Sequence, residues 1–320
     1  LTAAQRVPYS LPLLIRGDYA TISTGLDWWG GMPDPFDPRF AMATERAVAI
    51  AARDHRDDPW LIGYFADNEL AWAAPGSDPK SRYGLAYGTL RLTTDVPAKR
   101  AFLKQLRDKY RNQEGLSKAW GIELSAWELM EDPGFEAPVP NPEHPEIERD
   151  YQHFQQVFAE TYFKTIADSL KWHAPNHLLL GGRFALSTPE AVKACAEFCD
   201  VLSFNFYTLK PEDGYDFARL AELDKPVLVS EFQFGSRDRG PFWPGPVELA
   251  REEEAPAPEP EPGPQSGSGE DDATQADDVA FTITTEDGVD ASRCDLEIGT
   301  FERPYAAIAL GNPFHAEEGW

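Results

Sequence analysis

The stretch LIGYFADNELAW, residues 61–72, is apolar for most of its first half and then sets three polar side chains in a row, Asp67, Asn68 and Glu69. A short run rich in Ile, Tyr and Phe reads as a strand buried on both faces, the kind that parallel sheets use. Polar groups at the C-terminal end of such a strand lie where α/β folds keep their chemistry. Three further segments repeat the pattern: HLLLGGRF (177–184), VLSFNFY (201–207) and PVLVSEFQFG (226–235).

Helical stretches separate these strands. Residues 97–110 open on Pro97 and carry Phe102, Leu103, Leu106 and Tyr110 at helical spacing. Residues 146–172 repeat Tyr151, Phe154, Phe158, Tyr162, Ile166 and Leu170 and end before Pro175. Strands alternating with helices predict a parallel sheet, and four strand ends bearing polar groups favour an α/β (β/α)8 TIM barrel over an open sheet. An open nucleotide-binding sheet would carry G-x-G-x-x-G or a P-loop, and the sequence has neither. The spans 70–97 and 132–145 are expected to be loops on the barrel faces.

With 320 residues, 42% of them apolar, the chain can bury a sizeable core. Its formal charge of -25 is uneven: 18 of the 54 acidic residues and only 2 of the 29 basic ones lie from Glu252 onward. That balance argues against nucleic acid and anionic membrane surfaces as partners, since both require a basic face. There is no apolar run of membrane-spanning length, and no basic segment followed by an apolar run of the signal-peptide kind opens the chain. An intracellular protein, or a chain that has lost its beginning, fits that opening.

Residues 252–278, EEEAPAPEPEPGPQSGSGEDDATQADD, are acidic and rich in Pro and Gly, a composition expected to stay disordered. The expected organisation is therefore a catalytic domain over 1–250, a disordered linker over 251–278 and a short C-terminal segment of unknown structure over 279–320. Cys195 and Cys199 share one helical face and read as buried packing, while Cys294 carries no reading. His173 and His177 have the spacing of a metal pair, but Pro175 breaks the helix that such a pair needs, so no metal or other cofactor is expected. Gly84-x-x-x-Gly88 lies in a soluble context and has no membrane meaning.

Glu69 and Glu231 each end a buried strand. Two carboxylates about 5 Å apart across a barrel mouth suit retaining glycoside hydrolysis, one as acid/base and one as nucleophile. Glu69 would then have to hold a proton near neutral pH while Glu231 stays ionised. Asn68 is suited to hydrogen-bond a hydroxyl beside the anomeric carbon. The competing reading makes both acids strand-end residues that cap helices or pair with arginine.

DNE, N-x-Y and SEF at three strand ends resemble the clan of retaining (β/α)8 glycoside hydrolases. IRGDYATISTGLDWWGGMPDPFDPRF (15–40), GYFADNELAW (63–72), AFLKQLRDKY (101–110), AWG (119–121) and VSEFQFGSRDRG (229–240) more closely resemble the β-agarases of glycoside hydrolase family 50, over residues 5–246. The resemblance implies Glu69 as acid/base and Glu231 as nucleophile, with Tyr207 hydrogen-bonded to the nucleophile and Asn68 to the sugar ring. Trp28, Trp29 and Trp72 are candidates for stacking on a pyranose face. Arg183 is a candidate to bind a hydroxyl or neutralise a carboxylate, and Asn205 is a candidate of the same kind.

Family members cut the β-1,4 links of agarose, so the implied substrate is a neutral galactan, and the implied setting is secreted or periplasmic. A β-galactosidase-like enzyme of the same clan and an inactive sugar-binding fragment are the alternatives. Counting back from Leu61 as the start of strand four puts strands one and two of the barrel upstream of Leu1. The resemblance ends after Gly245, where the last strand is expected, so the barrel is expected to be incomplete.

Overall fold

A computed structural model of the chain describes residues 7–27, 30–208, 210 and 213–233. The 251–278 linker, the 279–320 segment, Cys294 and the Trp28–Trp29 pair all lie outside the described residues.

Five parallel strands form the frame: β1 (Tyr9–Leu13), β4 (Leu61–Ala66), β5 (Leu178–Leu179), β6 (Leu202–Asn205) and β7 (Val227–Glu231). β1 pairs with β4 and β4 with β5, while β6 pairs with β7. The segment after β5 joins the two groups. Ala66 N–H donates to the Gly181 carbonyl at 2.8 Å, Phe184 N–H to Ser203 at 2.9 Å, and Asn205 N–H to Phe184 at 2.9 Å. All five strands therefore point their C-terminal ends the same way. A small antiparallel pair, β2 (Thr21–Ile22) and β3 (Met32–Pro33), follows β1.

Helices fill the connections, as the alternating pattern requires. α1 (Pro38–His55) joins β3 to β4, α8 (Pro189–Phe198) joins β5 to β6, and α9 (Phe217–Ala221) joins β6 to β7. The β4–β5 connection is longer and holds α2 (Pro79–Arg82), α3 (Gly84–Leu90), α4 (Pro97–Tyr110), α5 (Gln113–Trp120), α6 (Glu128–Glu131) and α7 (Pro145–His173). The expected helices over 97–110 and 146–172 are α4 and α7.

The expected loop over 70–97 is corrected by α2 and α3. The start of α2 is set by Asp78, whose carboxylate accepts from the N–H groups of Lys80 and Ser81, and by Pro79 in the first turn. Asp78 and Pro79 sit among Gly and Ser residues, which hid that signal.

The core lies where α7 packs between α1 and α8. Tyr151, Phe154, Phe158, Tyr162, Ile166 and Leu170 are all buried along one stripe of α7. Phe154 stacks on Phe102 of α4 with centroids 4.1 Å apart, and Tyr162 stacks on Phe40 of α1 at 5.3 Å. Each such ring stabilises the fold by about 1.5–3 kcal/mol through burial alone. Asp150, at the start of that stripe, accepts from Lys109 Nζ at 2.6 Å, the Tyr110 hydroxyl at 2.7 Å and Trp120 Nε1 at 2.8 Å. One carboxylate thereby ties α4, α5 and α7 together. Cys195 and Cys199 are buried free thiols beside this core.

The Gly84-x-x-x-Gly88 spacing acquires a packing role. A Cβ at Gly88 would stand 1.9 Å from the Ser23 carbonyl oxygen, and one at Gly84 2.2 Å from that of Thr24. Alanine in a helix interior normally gains about 1 kcal/mol over glycine. Here the backbone overlap outweighs that gain, so Gly88→Ala is expected to lose about 1–3 kcal/mol in urea unfolding; a stabilised variant would contradict the close approach.

Candidate active site

The end of β4 turns sharply. Asp67 and Glu69 both adopt left-handed backbone, with φ of 55° and 50°, and Arg183 after β5 does so with φ of 48°. Among the described residues five non-glycine positions have positive φ, and three of them are here. Such conformations cost of order 1–3 kcal/mol each and persist where surrounding contacts hold them.

Asp67, 1% exposed, accepts from Ile15 N–H at 2.8 Å through Oδ1 and from the Tyr162 hydroxyl at 2.7 Å through Oδ2. Arg183, 7% exposed, follows β5 and fans its guanidinium over two further strand ends, β4 and β7. Nε donates to Asn68 Oδ1 at 2.6 Å, Nη1 to the Ser230 carbonyl at 3.2 Å, and Nη2 to Glu231 Oε2 at 2.5 Å. The guanidinium carbon also sits 5.1 Å from the centre of the Phe65 ring. Because Nε takes Asn68 Oδ1, the amide nitrogen of half-buried Asn68 is the end that does not face Arg183.

Asn205 completes the group. Its Nδ2 donates to Glu69 Oε1 at 2.8 Å and to Glu231 Oε2 at 3.3 Å, and its Oδ1 accepts from Ser230 Oγ at 2.8 Å, which fixes the amide's orientation. Two oxygens bonded to one nitrogen at those lengths lie no further apart than about 6.1 Å. Four strand ends, β4 through β7, thus converge on two carboxylates.

Of the sequence candidates, Glu69, Glu231, Asn68, Asn205 and Arg183 meet here. Arg183 faces a carboxylate, one of the two roles its position suggested. Trp72 requires a correction: it is 2% exposed, stacks on Phe163 at 5.5 Å and meets Tyr162 edge-on at 5.4 Å, so it presents no face to a sugar. The Tyr207 expectation also changes. Tyr207 follows β6 half-buried, and among the described residues it makes no hydrogen bond to Glu231, whose Oε2 is taken by Arg183 and Asn205. Trp28 and Trp29 lie outside the described residues. Asp67, Tyr162 and Ser230 were not singled out as site residues. Asp67 was visible only as one polar residue of three, since its partners lie 52 and 95 residues away.

The family model described as β-galactosidase (Glyco_hydro_42) matches residues 35–261. The chain belongs to the glycoside hydrolases of this model. β-Agarase B of Vibrio sp. (strain JT0107) is 36% identical to this glycoside hydrolase over 78% of the chain and 26% of its own length. β-Agarase A of the same organism is 33% identical over 72% and 24%. A solved exo-β-agarase superposes with a TM-score of 0.71 at 36% identity, covering 78% of this chain and 33% of that one. A second agarase structure, AgWH50C, gives 0.68 at 36%, covering 77% and 34%. The chain spans about a quarter of the length of the curated relatives it matches. The resemblance to family 50 agarases stands, and the β-galactosidase model fits the same clan. That model also runs past Gly245, where the motif resemblance ends.

Burial pushes the Asp67 carboxyl up to about 6, against the opposing pull of the Tyr162 and Ile15 hydrogen bonds. An unfolded Asp titrates near 4, so the folded glycoside hydrolase holds this proton more tightly than the unfolded chain. The stability contributed by the protonated group is fully present below about pH 4 and is lost as pH rises through 6. Relative to Asp67→Asn, the wild type should lose on the order of 3 kcal/mol of unfolding free energy between pH 4 and pH 7. A difference that stays constant with pH would refute this.

Proposed function

We propose that this chain carries the catalytic face of a retaining glycoside hydrolase acting on the β-1,4 links of agarose and neoagaro-oligosaccharides. The observation that supports the reading most directly is the single Asn205 amide between Glu69 and Glu231. Their facing oxygens lie at most about 6.1 Å apart, near enough for both carboxyls to reach one glycosidic bond, and the ~5–5.5 Å carboxyl spacing of retaining enzymes is compatible with that contact.

In this reading Glu231, paired with the Arg183 guanidinium, stays ionised and attacks the anomeric carbon. Glu69 protonates the departing sugar oxygen and then takes a proton from the water that releases the glycosyl-enzyme. The Asn68 amide nitrogen donates to the hydroxyl beside the anomeric carbon, a bond that strengthens in the transition state. The five parallel strands are read as strands three to seven of a (β/α)8 barrel, with 1–250 as the catalytic region. A neutral galactan suits a site where, among the described residues, Arg183 is the basic side chain bonded to the carboxylates. The β-galactosidase family model favours a second reading, the same chemistry on a simple β-galactoside.

Three results are expected from hydrolysis assays on neoagarotetraose. Glu69→Gln and Glu231→Gln each lose at least about 10²-fold in kcat. Azide restores turnover of Glu231→Gly as the α-glycosyl azide, and the first product seen by proton NMR is the β anomer. Full activity in both glutamine variants, or an α anomer first, overturns the proposal; faster turnover of an aryl β-galactoside than of neoagarotetraose selects the second reading.

A further inference from the structure

We propose that Asp67 and Tyr162 form a positioning anchor that aims Glu69 at the leaving-group oxygen, on the reading above that Glu69 is the acid/base. The turn 67–72 is held at both ends by one side chain. Asp67 Oδ2 accepts from the Tyr162 hydroxyl at 2.7 Å, and Trp72 packs on the Tyr162 ring at 5.4 Å. Tyr162 itself is fully buried and wedged against Phe40 and Phe163, so it cannot follow a moving turn.

The anchor reaches β1 as well. Asp67 N–H donates to Leu13 O at 3.0 Å while its Oδ1 takes Ile15 N–H, and Arg16 Nη1 stands 3.7 Å away. Between the two fixed ends, Ala71 O accepts from Thr24 Oγ1 at 3.0 Å. Asn68 in between is held by Arg183, so the backbone of Glu69, in its left-handed conformation, is what the anchor positions. An extended residue at 69 would carry the carboxyl away from Asn205, so releasing Asp67 removes one of the constraints that keep φ positive. Asp67 touches no substrate in this scheme and acts only through the backbone of Glu69.

The test exploits the leaving group. A sugar oxygen needs the Glu69 proton to depart, whereas dinitrophenolate does not. Neoagarotetraose is compared with 2,4-dinitrophenyl neoagarobioside, using the full chain and the variants Asp67→Ala, Asp67→Asn, Tyr162→Phe and Glu69→Gln. A misplacement of about 1 Å costs about 10²-fold, so Asp67→Ala should lose about that in kcat/KM on the tetrasaccharide and only a few-fold in kcat/KM on the aryl glycoside, whose first step needs no Glu69 proton.

Tyr162→Phe should show the same selectivity at smaller size and add little on top of Asp67→Ala. Asp67→Asn, which keeps an acceptor for Ile15 and can donate to the Tyr162 oxygen, should recover most of the loss. If Asp67→Ala does not fold, the substrate ratio in Asp67→Asn and Tyr162→Phe carries the test. Equal losses on both substrates, while Glu69→Gln stays selective, overturn the anchor. A wild-type chain inactive on both, or a Glu69→Gln variant with the wild-type ratio, overturns the functional reading instead.

Discussion

Ionised together, two carboxylates whose oxygens lie within about 6 Å would repel by about 3 kcal/mol at an effective dielectric of 20, and the groups at the strand ends around Glu69 and Glu231 oppose that repulsion. Asn205 puts one amide between them, and Arg183 sets a buried positive charge against Glu231. The Arg183 charge is itself held by Asn68 and the Ser230 carbonyl. The group therefore works only if β4, β5, β6 and β7 are in register, because each supplies one member. Parallel strands with aligned C-terminal ends meet that requirement, and the helices that connect them supply the core.

The site and the core share Tyr162. Its ring belongs to the aromatic stripe of α7, and its hydroxyl ends on Asp67 in the turn that carries Glu69. Packing energy collected along α7 can thereby hold two left-handed residues that a free chain would leave. The glycines of α3 act at the other side of the same region. They let its backbone approach the Ser23 and Thr24 carbonyls, and Thr24 in turn grips Ala71.

Much of this was legible in the sequence, for local reasons. A fully buried parallel strand must be apolar along its length, so β4, β6 and β7 stand out, and a carboxylate at the end of such a strand is conspicuous. The 3.6-residue stripe of α7 is equally plain. Trp72 was not legible, because an aromatic three residues past an acid reads the same whether it faces ligand or core; only the positions of Tyr162 and Phe163 decide. The choice for Arg183 between hydroxyl and carboxylate depended on where β7 lies. The role of Asp67 depended on Ile15 and Tyr162, contacts made by the fold and invisible to any window along the chain. α2 and α3 were hidden by Gly and Ser, residues whose composition signals a loop even where an Asp cap starts a helix.

On the function proposed above, Glu231 forms the covalent bond while Glu69 handles the proton. A 2-deoxy-2-fluoro galactoside with a good leaving group slows release of the glycosyl-enzyme more than its formation, so the labelled residue can be found by peptide mass mapping. A single glycosyl label on Glu231 is the expected result. Label on Glu69, or no covalent adduct under conditions where the substrate analogue is turned over, would contradict it.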